Sequence, residues 1–353
     1  MEVLVESIDA SRRSLRLEFY IYADDCEGVR VLEALLAARS RGVGVRVLVD
    51  GMGSVSLPDS FWAPLLEAGG EVRWFNPLSA GRWSYRDHRK LLVCDRSVAV
   101  LGGFNIAREY GGDGVAEGWR DLGMRVSGEV CERLEASFDA YFEAAACSGR
   151  DRRRLARSLG ANDDELLLTH SRKARAALKR SLLRDLRTAR DVRLISGYFL
   201  PSSGLRRALR RVLRRGGRVQ LILAAKSDVA VSQLATRRLY QPLLRAGVEI
   251  WEYQPQILHA KLFILDGVVY VGSANLDVRS LLINHELLLR LVDPEVTAGA
   301  IRMFQNDLQP CLPIDRARWR RSRGILAKLR ERWAYLIMTR LDPWLAGIHL
   351  RRR

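Results

Sequence analysis

The sequence predicts an α/β protein assembled from two copies of one unit, each a sheet flanked by helices. Two observations carry this. Helical stretches alternate with short β-branched runs along most of the 353 residues, the pattern of helices packed on a sheet. Three segments also recur in the same order, the signature of a duplication. ARSRGVGVRVLVDG (38–51) is echoed by LRRGGRVQLILAA (213–225), each a helix end, a glycine turn and an apolar strand. LLEAGGEVRWFNP (65–77) is echoed by LLRAGVEIWEYQP (243–255), and HRKLLVCDRSVAVLGGFN (88–105) by HAKLFILDGVVYVGSAN (259–275).

The first copy is expected at 1–146 and the second at 164–308, joined by a polar, basic, glycine-containing linker at 147–163. The second copy opens with a strand, LLLTH (166–170), and a long helix around KARAALKRSLLRDLRTA (173–189). The first has no counterpart to that strand: either the unit is trimmed there or its start lies upstream. A tail at 309–353 departs from both copies. From Cys311 onward it carries 12 Lys and Arg against 3 Asp and Glu, with Trp319, Trp333, Tyr335 and Trp344 interspersed. Ile325, Leu326, Leu329, Trp333, Leu336 and Ile337 follow helical spacing. Such a helix either lies on an anionic membrane surface or packs its apolar stripe on the protein.

With 48% hydrophobic residues the chain can build real cores. A formal charge of +17, from 58 Lys and Arg against 41 Asp and Glu, favours polyanionic partners: nucleic acid, lipid headgroups or phosphorylated substrates. Five scattered cysteines without a CxxC spacing indicate neither a disulfide framework nor a zinc site, and fit a reducing cytoplasm. The N-terminus lacks a signal-peptide pattern, and no window approaches the ~18 apolar residues of a membrane span. Membrane contact is therefore expected to be peripheral.

The chemistry is concentrated in the third repeat. His88, Lys90 and Asp95 in the first copy correspond to His259, Lys261 and Asp266 in the second. If the octet is a strand, His and Lys share a face and form a phosphate site, whereas the aspartate falls on the opposite parity at the strand end. Gly102, Gly103 and Asn105, and then Gly272, Ser273 and Asn275, follow; small residues admit a phosphate close to the backbone, and Ser and Asn hydrogen-bond its oxygens. Further on stand Asp121 and Glu286. A carboxylate on one ring nitrogen fixes a histidine's tautomer and leaves the other nitrogen to attack. A lone His-x-Lys is usually surface decoration; the same ordered set twice in a chain with five histidines is not.

Both copies thus match HxKxxxxD, and the chain resembles the phospholipase D superfamily over residues 10 to 310. That resemblance implies two α/β/α sandwich domains related by a pseudo-twofold axis and sharing one active site, with no metal and no cofactor. It further implies a phosphohistidine route, with His88 as nucleophile and His259 as general acid and base. Lys90, Lys261, Asn105, Ser273 and Asn275 would bind phosphate. Asp121 would orient His88, and Glu286 would orient His259. Asp95 and Asp266, though motif members, would be structural or supporting. Gly103 departs from Ser273, so the phosphate cradle is asymmetric.

LEFYIYADDCEG (17–28), RGVGVRVLVDGMGS (41–54), ISGYFLP (195–201) and NLDVRSLLINHE (275–286) are similar to bacterial cardiolipin synthases of the short type without transmembrane helices. The likeness implies transfer of a phosphatidyl group from a phospholipid donor to phosphatidylglycerol, with phosphatidylethanolamine as a further candidate donor, at an anionic membrane surface on the cytoplasmic side. Phe19, Tyr20, Tyr22, Trp83, Tyr85, Phe104, Tyr198 and Phe199 stand beside the motifs and suit a dry, lipid-filled pocket. The rivals are a hydrolytic phospholipase D with the same residues and a nucleic-acid phosphodiesterase. The latter is disfavoured because many such chains carry one motif, and no nucleic-acid-binding signature accompanies these two. Oligomeric state is left open.

Overall fold

A computed structural model describes residues 1–77, 85–145, 159 and 165–341. The expected linker, apart from Leu159, lies outside the described residues, as do Trp83 and Trp344. In the first copy α1 (Glu2–Ala10) precedes β1 (Ser14–Phe19). The chain continues through α2 (Cys26–Ser40), β2 (Gly44–Asp50), α3 (Ala63–Glu67) and β3 (Glu71–Phe75). Then come β4 (Leu91–Cys94), β5 (Val98–Gly102), β6 (Gly123–Ser127) and α4 (Val130–Ala145). The six strands form one sheet in the order β3-β2-β1-β4-β5-β6. β1, β2 and β3 run parallel, because helices return the chain between them, whereas β4, β5 and β6 are added antiparallel.

The second copy repeats this plan. It comprises β7 (Leu166–Leu168), α5 (Arg172–Thr188), β8 (Asp191–Ser196), α6 (Ser203–Arg214), β9 (Arg218–Ala224), α7 (Ala230–Arg245) and β10 (Glu249–Tyr253). β11 (Lys261–Leu265), β12 (Val268–Gly272), α8 (Val278–Leu282), β13 (Leu287–Leu291) and α9 (Pro294–Leu308) follow. Its sheet has the same order with one strand added at each edge: β7 on β13, and β14 (Cys311–Pro313) on β10. The strand LLLTH is therefore an edge addition, and the tail begins as part of the second sheet. Beyond it α10 (Arg316–Arg321) and α11 (Ile325–Leu336) lie against α7.

Both LLVC of β4 and KLFIL of β11 are buried along their whole length, as continuous apolar runs covered on both faces must be. One hydrophobic core joins the two copies: Leu48, Phe75, Leu91, Val93 and Phe138 of the first pack with Leu166, Val271, Ile283 and Leu287 of the second. The copies are thus held together by apolar surface removed from water, the main driving force of folding and association.

Asp95 and Asp266 stand just beyond β4 and β11, both in the left-handed region, at φ 54° and 53°. Asp tolerates that region better than most residues. The Asp95 carboxylate accepts the backbone N–H groups of Arg12, Arg13 and Ser14 at 2.8, 2.7 and 2.8 Å. Asp266 accepts those of Arg190 and Asp191 at 3.0 and 2.7 Å. The motif aspartates thus clamp the entries to β1 and β8. Partial burial works against ionisation of Asp95, but the three amides outweigh it and hold its pKa below the ordinary value. Asp95→Asn, which keeps shape and backbone tolerance, is expected to lower unfolding free energy by about 1–2 kcal/mol at pH 7 and to leave turnover unchanged below the transition. Because the native pKa is depressed, the wild-type advantage is present above the unfolded carboxylate range and fades as pH falls below about 4. Urea denaturation at several pH values measures both.

Candidate active site

β4 starts at Leu91 and β11 at Lys261, so His88, Lys90 and His259 sit on extended lead-ins rather than within the strands that the octets suggest. Alternation still governs them. His88 and Lys90 share one side, while Arg89 turns to the other, where its guanidinium lies 3.0 Å from Glu18 Oε2 and donates to Ser137 Oγ at 2.7 Å. Arg86 is equally buried, with Nη1 3.3 Å from Asp50 Oδ1. These cations anchor the lead-in from beneath, and the doubled motif gives no sign of them because the second copy has Ala260 where the first has Arg89.

Each lead-in forms a short parallel bridge with the other copy, Asp87 to His285 and Arg120 to Leu258. His88 N donates to His285 O, and His285 N to Arg86 O, both at 2.9 Å. Arg120 N donates to Ile257 O, and His259 N to Arg120 O, both at 2.8 Å. The acid follows directly in each case. Glu286 Oε2 lies 3.1 Å from His88 Nδ1, and Asp121 Oδ2 lies 2.6 Å from His259 Nδ1. The expected pairing is therefore exchanged: Asp121 serves His259, and Glu286 serves His88. Sequence spacing cannot distinguish these cases, because the strand bridges, not proximity along the chain, decide which carboxylate meets which ring.

Ser273 is a second correction. Its hydroxyl donates to Glu286 Oε2 at 2.5 Å and accepts Leu287 N–H at 3.0 Å, so it positions the carboxylate, and Ser273 is not among the residues lining the cavity of His88 and His259. Gly103 holds the equivalent place, and a Cβ there would collide with Asp121 Oδ1. The short acid with glycine and the long acid with serine are two solutions to one packing problem. Lys90 Nζ donates to His88 O at 2.7 Å. Lys261 Nζ donates to His259 O and lies 2.7 Å from His259 Nδ1. Both ammonium groups lie just behind the histidines.

His88, His259, Asn105 and Asn275 line one cavity of about 540 Å³. The asparagines also brace its walls, Asn105 Oδ1 accepting Ile21 N–H at 3.1 Å and Asn275 Oδ1 accepting Tyr198 N–H at 3.3 Å. Tyr20 packs on His88, with ring centroids 4.9 Å apart, and Trp119 on His259 at 5.7 Å. Of the aromatics expected beside the motifs, Tyr20 and Tyr198 reach the cavity, whereas Phe19, Tyr22 and Phe199 are buried core. Tyr110, Trp119 and Arg279 line the cavity too and were not anticipated; the nearest signal was the position of Trp119 two residues before Asp121. Ile337 and Met338, just past α11, complete the wall.

Burial sets the electrostatics. Desolvation, then the charges of Lys90 and Lys261, hold His88 well below its ordinary pKa, so the ring is neutral at pH 7. Burial brings Lys90 down to about 7 and Glu286 up to about 7. Asp121 differs: burial opposes ionisation, but Lys261 and His259 keep its pKa below the usual value. His259 is also lowered, by burial and then Lys261, with Asp121 pulling the other way. One histidine therefore faces a half-neutral acid, and the other an ionised one.

Residues 4–140 and 182–308 match one family model, described as "Cardiolipin synthase, PLD-like domain". The chain belongs to the cardiolipin synthase family of phospholipase D-like proteins. It is 32% identical to the cardiolipin synthase of Oceanobacillus iheyensis, over 93% of this chain and 70% of the relative. It is 28% identical to cardiolipin synthase 1 of Bacillus anthracis, over 95% of this chain and 69% of the relative. In fold it is similar to the phosphatidylserine synthase of Haemophilus influenzae, with a TM-score of 0.72, 13% identity, and 98% and 92% of the two chains covered.

The exchanged wiring has a direct test. Asp121→Asn is expected to lower the His259 pKa further and leave that of His88 nearly unmoved, read by NMR titration of the ring nitrogens. A shift confined to His88 would contradict the geometry.

Proposed function

We propose that the chain is a phosphatidyltransferase that makes cardiolipin. The observation that carries this reading is two histidines, His259 buried and His88 half-buried, at the wall of one cavity, each held by a carboxylate from the opposite copy. His88, neutral at pH 7 and with Nδ1 turned to Glu286, attacks phosphorus of a phospholipid donor through Nε2. The P–N bond forms as the P–O bond to the headgroup alcohol breaks, and the imidazolium form of His259, which the ionised Asp121 beside it favours, gives that oxygen its proton. The acceptor hydroxyl then loses its proton to His259 while its oxygen displaces His88 from phosphorus. Atoms balance over the cycle, and both rings return to their starting states.

Lys90 and Lys261 supply positive charge behind the rings as negative charge builds on the non-bridging oxygens, and preorganised charge in a water-poor site is worth more than in water. Asn105 and Asn275 offer amide groups on the cavity side, where Arg279 adds a cation and Asp228 and Asp277 add carboxylates. For donor and acceptor we propose phosphatidylglycerol, with phosphatidylethanolamine as a second donor. Tyr20, Ile21, Val229 and Met338 give the cavity an apolar rim, which suits a lipid alcohol that must outcompete water. We also propose peripheral attachment at the cytoplasmic face of the membrane: no described helix is long and apolar enough to cross a bilayer, and +17 favours an anionic leaflet.

Incubation with phosphatidylglycerol vesicles in the presence of chelator, followed by lipid mass spectrometry, tests the reading. Cardiolipin is expected with the wild type, falling more than about a thousandfold with His88→Ala. Phosphatidic acid without cardiolipin would instead mean hydrolysis, and no lipid change would overturn lipid chemistry altogether.

A further inference from the structure

The tail helix is turned the opposite way from an ordinary surface helix. α11 rests on α7 through Glu331 and Ala334, which are buried. At 100° per residue, Ile325, Leu326, Leu329, Trp333 and Leu336 fall on the far side. Ile325 is 81% exposed, Leu326 63% and Trp333 65%. Packing on the protein, one of the two expectations for this stripe, is therefore excluded. Arg330 flanks the stripe on one side, Lys328 and Arg332 on the other. An apolar ridge with cations along both edges is the section of a helix lying in a bilayer interface, where long basic side chains reach back to the headgroups.

Beside the ridge, between α7 and α10–α11, runs a groove of about 390 Å³. The carboxylate that lines it, Glu331, is engaged, with Oε1 3.4 Å from Arg323 Nε, and Arg237 of the lining has its Nη2 3.4 Å from Glu252 Oε1. The Arg323 guanidinium also sits 3.8 Å over the Trp319 ring. Arg238, Arg245, Arg320, Lys328 and Arg332 line the same groove with no carboxylate within ion-pair distance among the described residues. Ile325 and Leu329 line it as well, so one wall of the cationic groove is the edge of the apolar ridge.

We infer that this groove binds the phosphate headgroup of an anionic phospholipid still embedded in its bilayer, whose acyl chains run along the exposed ridge of α11. The juxtaposition favours a lipid over a free phosphate, since a soluble anion would have no use for a continuous apolar wall. Ile337 and Met338, on the π-helical stretch Ile337–Leu341 that continues α11, line the cavity of His88 and His259. A lipid held in the groove thus turns the mouth of the reaction cavity toward the leaflet. The inference deepens the transfer reading by naming how the enzyme meets its substrate surface, and its test measures binding rather than turnover, so the two can fail separately.

The test is co-sedimentation of the full chain with phosphatidylcholine vesicles, with and without phosphatidylglycerol. Wild type and His88→Ala are expected to bind the anionic vesicles equally and the neutral ones weakly. Arg238→Gln/Arg245→Gln/Arg320→Gln is expected to weaken anionic binding by about a hundredfold while turnover of a soluble phosphodiester persists. Leu329→Ser/Trp333→Ser should weaken binding to both kinds of vesicle. Vesicle binding by the triple variant equal to wild type would overturn the site. So would calorimetry showing tight inorganic pyrophosphate binding lost in that variant while vesicle binding stays intact, which would assign the groove to a free anion. Binding as expected from a protein that makes no cardiolipin would uphold the site and remove the transfer reading.

Discussion

The active site depends on two short exchanges of backbone hydrogen bonds between the copies. The lead-in to each strand end pairs with a segment of the other copy, Arg86–His88 with His285, and Ile257–His259 with Arg120. A carboxylate follows directly in each case. Once these four bonds form, the distance from acid to imidazole is set by one residue of extended backbone. Neither copy alone contains a complete histidine–acid pair. The apolar core shared by the copies holds the two halves in register, so the burial that stabilises the fold also sets its chemical geometry.

Gathering His88, His259, Lys90, Lys261, Asp121 and Glu286 out of water costs several kcal/mol per charge unless each charge is answered. Here two lysines face two carboxylates, and burial disfavours the charged form of both imidazoles, with Asp121 opposing that effect at His259. The cancellation is incomplete: Lys90 falls to about 7 and Glu286 rises to about 7. A phosphodiester anion entering the cavity would favour the charged form of Lys90 and disfavour that of Glu286. The two halves also differ beneath the histidines. The first copy buries an Arg89–Glu18 pair, whereas the matching positions of the second, Ala260 and Ile195, are apolar and buried. Asp121 beside glycine, and Glu286 beside serine, continue that asymmetry. Duplicated motifs have thus diverged into unequal environments, as two histidines with different tasks require.

Much of this was legible in the chain. The doubled His-x-Lys, the strand periodicity around β4 and β11, and the acids at 121 and 286 follow from local pattern and repetition. What was not legible depends on contacts between distant segments. Nothing in the spacing of Asp121 and Glu286 tells that each serves the other copy's histidine. Ser273 looks like a phosphate donor until the Glu286 carboxylate is found 2.5 Å from its hydroxyl. Asp95 and Asp266 are legible as supporting residues at the strand ends, but the motif does not tell that their oxygens are taken by the backbone at the entries to β1 and β8. The amphipathic spacing of the tail was visible, but not which way its stripe would face.

The central claim is that one histidine of a crossed pair carries the phosphatidyl group while the other moves the proton. Its most direct test is to give His259→Asn protein a phosphatidylglycerol substrate, quench in base, and map the modified residue by mass spectrometry. A phosphatidyl adduct on His88, absent from the His88→Ala/His259→Asn double variant, is the predicted result. An adduct on any other residue, or turnover by His88→Ala without an adduct, would contradict the account.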